Sequence, residues 1–297
     1  MPMIAQLIGA IVNIILDPVF IFALDMGVTG AAVATVIGQF CSMVFTVITF
    51  FIGKKEVSVS LRYVRVKGKT LLSIYKIGLP TIILNSVSSF TIMIMNVIFN
   101  AFSYTLGTTI LGVYFKVQSF VFMPCFGMNQ GLLPILAYNY GANKKQRFVH
   151  AFRLAITVAV CIMVVGLILF QTLSGVILGI FPHAFGTPEL KAQAVAAFRI
   201  ISISFIPAAF SIITITMFQS IGRGFNSMLM SILRQLGVLL PVAILICLVL
   251  DASKIWWAYP IAEIAVVAVF MPIAIKTINK VFALKATLYD QESNNAA

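Results

Sequence analysis

The sequence predicts an all-α membrane protein with about eight transmembrane helices. Three observations lead there. Hydrophobic residues make up 61% of the 297 and charged residues only 9%, against roughly 45–50% and about 25% in soluble domains. The mean hydropathy is +1.08. The charged side chains gather in clusters and leave apolar windows of about 20 residues, the length at which a helix crosses the hydrocarbon core. A water-soluble fold is excluded on composition alone.

The expected spans run over about 3–24, 28–52, 76–101, 108–137, 150–173, 192–220, 227–250 and 255–281. The first has a single ionisable residue, Asp17, followed at once by Pro18. The second carries the small-residue stretch GVTGAAVATVIGQ, and the third holds Pro80 and the polar run LNSVSSF at 84–90. Lys116 lies well inside the fourth, with Pro124 and Pro134 beyond it. The sixth and seventh contain Pro207 and Pro241, and the last contains Pro260, Glu263 and Pro272. Prolines are tolerated in membrane helices because neighbouring helices and hydroxyls satisfy the freed backbone groups. So many together predict bent helices. A kinked helix, a short loop and a returning helix with small residues occur both around Pro18 and around Pro241, a faint internal repeat of the kind found in duplicated bundles.

The net charge of +12 does not argue for nucleic acid. Lys54, Lys55, Arg62, Arg65, Lys67 and Lys69 fall in one connection, and Lys144, Lys145, Arg147 and Arg153 around the next but one. Arg223 and Arg234 flank a third, while Lys276, Lys280 and Lys285 follow the last span. Basic connections stay on the cytoplasmic side. They alternate with poorer ones at 25–27, 102–107, 174–191 and 251–254, so an even count of spans puts both termini in the cytoplasm. Cys41, Cys125, Cys161 and Cys247 all lie within spans without CxxC or Cys/His grouping, so neither a disulfide framework nor a metal site is expected. A membrane-embedded enzyme would need paired acids or a histidine motif, and the two histidines, His150 and His183, lie near loops.

Asn13 and Asp17 are four residues apart and share one helix face. At about 1.5 Å per residue Asp17 lies beyond the membrane midplane, where a lone carboxylate costs about 2.5–3.5 kcal/mol. It is expected to face the bundle interior and to accept a proton or, through its oxygens, a hard cation. Thr35 offers a hydroxyl at comparable depth, so Asn13, Asp17 and Thr35 form a candidate site for H⁺ or Na⁺. The alternative is a protonated or hydrated Asp near the outer interface. Tyr114, Lys116, Gln130 and Glu263 are the expected cavity residues. Lys116 either snorkels toward the headgroups or faces the cavity, where pairing with Glu263 is the economical arrangement.

The stretch FMPCFGMNQGLLPILAYNYGANKKQR (122–147) resembles the multidrug and toxic compound extrusion (MATE) family. NIILDPVFIFALDMGVTGAAVATVIGQ (13–39), IGLPTII (77–83) and FQSIGRGFNSMLMSILRQLGVLLPVAI (218–244) agree in order. The resemblance implies twelve helices in two six-helix lobes around a cavity, alternating access, and export of amphipathic or cationic compounds against H⁺ or Na⁺. On that plan residues 1–52 correspond to the last two helices of the N-lobe, 53–75 to a basic inter-lobe loop, 76–282 to the C-lobe and 283–297 to a cytoplasmic tail. The abrupt opening MPMIAQLIGAIVNIILDPVF is then expected to mark a chain short of the first four helices. Asn13, Asp17 and Thr35 match the family's N-lobe cation pattern, whose partner Asp on the first helix has no counterpart here. Acids that some members carry on the first and fourth C-lobe helices are absent from 76–101 and 192–220. The resemblance also implies a plasma-membrane monomer whose partners are the bilayer and small-molecule drugs, with no cofactor beyond the coupling ion. A lipid-linked sugar flippase of related fold and a transport-incompetent fragment are the other readings; a flippase would call for a more basic cavity.

Overall fold

A computed structural model describes residues 2–52, 68–181 and 184–296, with side chains described except at 2, 76–77 and 285–296. Lys54, Lys55, Arg62, Arg65, Lys67 and His183 lie outside the described residues. The chain forms two units, Met1–Lys67 and Gly68–Ala297.

In the first unit α1 runs Pro2–Pro18 and continues as a π-helical turn over Val19–Ala23. Pro18 has no N–H to give to the carbonyl one turn back, at Ile14, and the helix widens immediately after it. The Leu24 N–H then bonds the Val19 carbonyl, and the Met26 N–H the Phe20 carbonyl, both at 3.0 Å. Gly27 begins α2, Gly27–Ile52, with φ 53°. Glycines let the two helices touch. A Cβ at Gly38 would stand 2.7 Å from the Gly9 carbonyl oxygen, and one at Gly30 would stand 2.8 Å from the Phe20 carbonyl. Backbone cannot swing aside as a side chain can. Gly38→Ala is therefore expected to push α2 off α1 and destabilise the protein by about 1–3 kcal/mol, read as a lower melting temperature in detergent. Melting equal to wild type would refute this close packing.

The second unit contains α3 (Gly68–Ala101), α4 (Thr105–Gly141), α5 (Lys145–Gly179), α6 (Pro188–Ser202) and α7 (Phe205–Ser220). It continues with α8 (Gly224–Ile232), a π-helical segment Leu233–Leu239, α9 (Leu240–Val249), a 3₁₀ turn Ala252–Trp257 and α10 (Ala258–Ala296). Among the described residues seven helical stretches can each cross a membrane by length and composition, and the bent pair α6–α7, taken as one span, makes an eighth. That is the expected count, and the chain is a multi-pass membrane protein. The ends differ. α3 starts at Gly68 rather than 76, so Lys69 belongs to the helix, and α5 covers Lys145 to Gly179, absorbing Arg147 and the start of the expected 174–191 loop. The stretch expected as a tail from 283 continues α10 as helix through Ala296.

The 46° bend between α6 and α7 follows from Pro207, which has no N–H for the carbonyl of Ile203. Nearby freed groups find side-chain partners. The Arg199 carbonyl accepts from Gln171 Nε2 and from Ser202 Oγ, each at 2.8 Å, and the Ile201 carbonyl accepts from Ser204 Oγ at 2.7 Å. α7 is the centre of the unit and packs on α4, α5, α8 and α10. Its Ser211, Thr214, Thr216 and Ser220 are buried, while Phe120, Met123 and Val176 on neighbouring helices stand exposed. Polar inside and apolar outside is the distribution a lipid environment selects.

Candidate functional site

The first unit brings Asn13, Asp17 and Thr35 together. Asn13 Nδ2 donates to Asp17 Oδ1 and to Thr35 Oγ1, each at 3.3 Å. The Thr35 hydroxyl donates to the Ala31 carbonyl at 2.9 Å, leaving its lone pairs for Asn13. The close α1–α2 approach at Gly38 carries this contact, since a Cβ there would also stand 3.2 Å from Asn13 Cβ. A groove of about 620 Å³ runs along the same helix pair, lined by Gln6, Asn13, Thr35, Gln39, Ser42 and Thr46 among others. Asp17 is half-buried and stands outside that lining. Chemically, the trio can hold a proton on Asp17 as it stands. A hard cation needs the Asn13 amide turned to present its oxygen.

The second unit encloses a cavity of about 1390 Å³. Its walls come from α3 (Ser88, Thr91), α4 (Tyr114, Gln118, Asn129, Gln130), α7, the π-helical segment (Arg234, Gln235) and α10 (Tyr259, Glu263), with Phe115, Phe122, Phe126 and Phe225 between the polar groups. Tyr114 is fixed edge-on against Phe170 at 6.2 Å and Phe198 at 5.7 Å, a rigid aromatic floor. Consecutive residues of the π-helical segment reach different helices. Gln235 accepts from Thr91 Oγ1 at 2.8 Å and donates to Ser88 Oγ at 3.3 Å, both on α3. Arg234 reaches α10, where its Nη1 donates to Glu263 Oε1 at 2.8 Å. Ser211 Oγ donates to the other carboxylate oxygen at 2.8 Å. Among the described residues Asn129 Oδ1, Arg234 Nε and Tyr259 OH are buried with no hydrogen-bond partner.

Tyr114, Gln130 and Glu263 line this cavity, but Lys116 does not: its side chain is exposed and turned away. Tyr114 and Lys116 are two residues apart and so point to different sides of α4. The Lys116–Glu263 pairing is therefore corrected to Arg234–Glu263. Arg234, read as flanking a loop, sits inside the stretch Gly224–Val249. The signal was present. Two opposite charges inside apolar spans, Arg234 and Glu263, are costly apart and need a partner.

Comparison with known proteins agrees with this architecture. Residues 80–245 match the sequence profile of the MatE family. The chain is 27% identical over 261 residues to the multidrug export protein MepA of Staphylococcus aureus, covering 88% of this chain and 56% of that protein. The match to the protein of the same name from Staphylococcus saprophyticus is 26% identical, with the same coverage. The chain thus spans about half the length of the curated relatives it matches. Among solved structures, a multidrug resistance MATE family transporter of the MOP superfamily, in an outward-facing conformation, superposes with a TM-score of 0.85 at 22% identity, over 94% of this chain and 62% of that one. A MATE structure in a bent conformation gives 0.83 at 22% identity, over 96% and 63%. The profile match covers more than half of the chain and the fold is shared, so this protein belongs to the MatE family.

Proposed function

We propose that this chain carries the ligand chamber and part of the ion-coupling machinery of a secondary active exporter. It would move amphipathic or cationic compounds out of the cell by antiport with H⁺ or Na⁺. The observation that carries the proposal is the cavity of about 1390 Å³, bounded by aromatic and polar side chains and large enough for a drug-sized molecule. The name of the staphylococcal relatives, multidrug export protein, supports the same direction of transport. Asn13, Asp17 and Thr35 are the proposed coupling group, with Asp17 binding the ion. Coupling requires only that the ion bind the inward- and outward-facing states unequally. The activity is transport rather than catalysis, in the plasma membrane, with both ends of the chain cytoplasmic and a monomer as the working unit. A flippase for lipid-linked sugars is disfavoured because it calls for a more basic cavity, and among the described residues Arg234 is the only cation in this lining.

The test is reconstitution of the full chain in liposomes with an imposed pH or Na⁺ gradient. Ethidium and 8-anilinonaphthalene-1-sulfonate serve as probes, since neither titrates near neutrality and trapping by pH is avoided. Accumulation of either against its gradient supports the proposal. Passive equilibration alone, or no movement of either probe, overturns it for this chain.

A further inference from the structure

We infer that Arg234 and Tyr259 form a subsite for the carboxylate of an aromatic, amphipathic acid; the inference rests on reading this cavity as the ligand chamber. Among the described residues Glu263 is the only acid lining the cavity, and both its oxygens accept a hydrogen bond, Oε1 from Arg234 and Oε2 from Ser211. A cationic ligand meets a carboxylate that already has a donor on each oxygen. The donors are different. Among the described residues Arg234 uses Nη1 alone, and its Nε is buried without a partner. In a guanidinium Nη1 lies on the side of the aliphatic stem, while Nε–H and one Nη2 N–H point together along the other edge. That free edge has the spacing of two carboxylate oxygens and binds them with a pair of charge-assisted bonds.

Tyr259 adds a second donor. It stands one turn from Glu263 on the same face of α10 and lines the cavity, and its hydroxyl is buried and unpartnered. A carboxylate seated here leaves the guanidinium between two anions, with Glu263 at Nη1 and the ligand along the Nε–Nη2 edge. Nε and the Tyr259 hydroxyl are both shielded from water in this state, so the ligand reaches them only with a shift of both side chains. Phe115, Phe122 and Phe126 on the α4 wall supply apolar contact for the body of the molecule.

Equilibrium dialysis of the purified full chain against three matched probes tests this: 1-naphthylacetate, 2-(1-naphthyl)ethanol and 2-(1-naphthyl)ethylammonium. The acetate is expected to bind about tenfold to a hundredfold more tightly than the other two. In R234Q/E263Q, where no charge is left unpaired, acetate binding falls to the level of the alcohol measured on the same variant. Tyr259→Phe keeps the shape of the wall and weakens acetate binding about two- to tenfold. Equal binding of acetate and alcohol, preference for the ammonium, or a carboxylate preference that survives R234Q/E263Q overturns the subsite while leaving the chamber intact. Binding of none of the three overturns the chamber itself, and the subsite with it.

Discussion

Asp17→Asn is expected to leave the protein folded and to abolish ion-driven accumulation. The amide is nearly isosteric, and its oxygen still accepts the bond that Asn13 Nδ2 now gives to Asp17 Oδ1 at 3.3 Å. The contact of Asn13 with Thr35 does not involve the substituted atoms and persists. What disappears is the ability to change charge or to hold a cation. A pH difference of one unit supplies about 1.4 kcal/mol per proton, enough for about a tenfold gradient of a ligand exchanged one for one. The wild-type chain should approach that ratio in liposomes, and the variant should stop at a ratio of one. A ligand that binds both states equally shifts no population however tightly it binds, so the variant should equilibrate probes without concentrating them. Accumulation that survives the substitution and still follows the pH or Na⁺ gradient would remove Asp17 from the coupling role. The two ions also separate. Sodium needs the Asn13 oxygen turned inward, so Asn13→Leu should weaken sodium-driven transport more than proton-driven transport.

The spans were legible because nothing but a bilayer explains apolar windows of that length, and Asn13, Asp17 and Thr35 were legible because their grouping depends on local geometry. Residues four apart share a helix face, and the turn between α1 and α2 is short enough to fix which residues meet across it. The cavity was only half legible. Tyr114, Gln130 and Glu263 line it, yet Lys116 faces outward and Arg234 was assigned to a loop margin. Hydropathy registers the length of a span but not its rotation about its own axis, and that rotation decides which of two cations meets Glu263. The π-helical segment Leu233–Leu239 made this harder still, since its wider turn departs from the 3.6-residue period by which helix faces are read. The bend at α6–α7 could be foreseen from Pro207, but not that Gln171 from α5 would bond the Arg199 carbonyl.

Arg234→Met should cost more stability than any surface substitution in this chain. It removes the Nη1 donor from Glu263 and leaves that carboxylate with Ser211 alone. Breaking one side of a buried pair costs about 3–5 kcal/mol, and the lower end applies because the two side chains keep 20% and 14% exposure. Removing both partners has a different outcome. R234M/E263M exchanges two desolvated charges for apolar groups of similar volume, a trade that is commonly neutral or stabilising. The double variant should therefore melt near wild type and well above Arg234→Met, a coupling that a double-mutant cycle measures directly. Lys116→Met is the control. Its side chain is exposed and outside the cavity, so the change should stay within about 0.5 kcal/mol. If Lys116→Met destabilises the chain while Arg234→Met does not, the cation that holds Glu263 is Lys116 and α4 is rotated from its position here. If the losses of Arg234→Met and Glu263→Met simply add in the double variant, the ion pair contributes no coupling energy, and Glu263 is held in the cavity wall by Ser211 and packing alone.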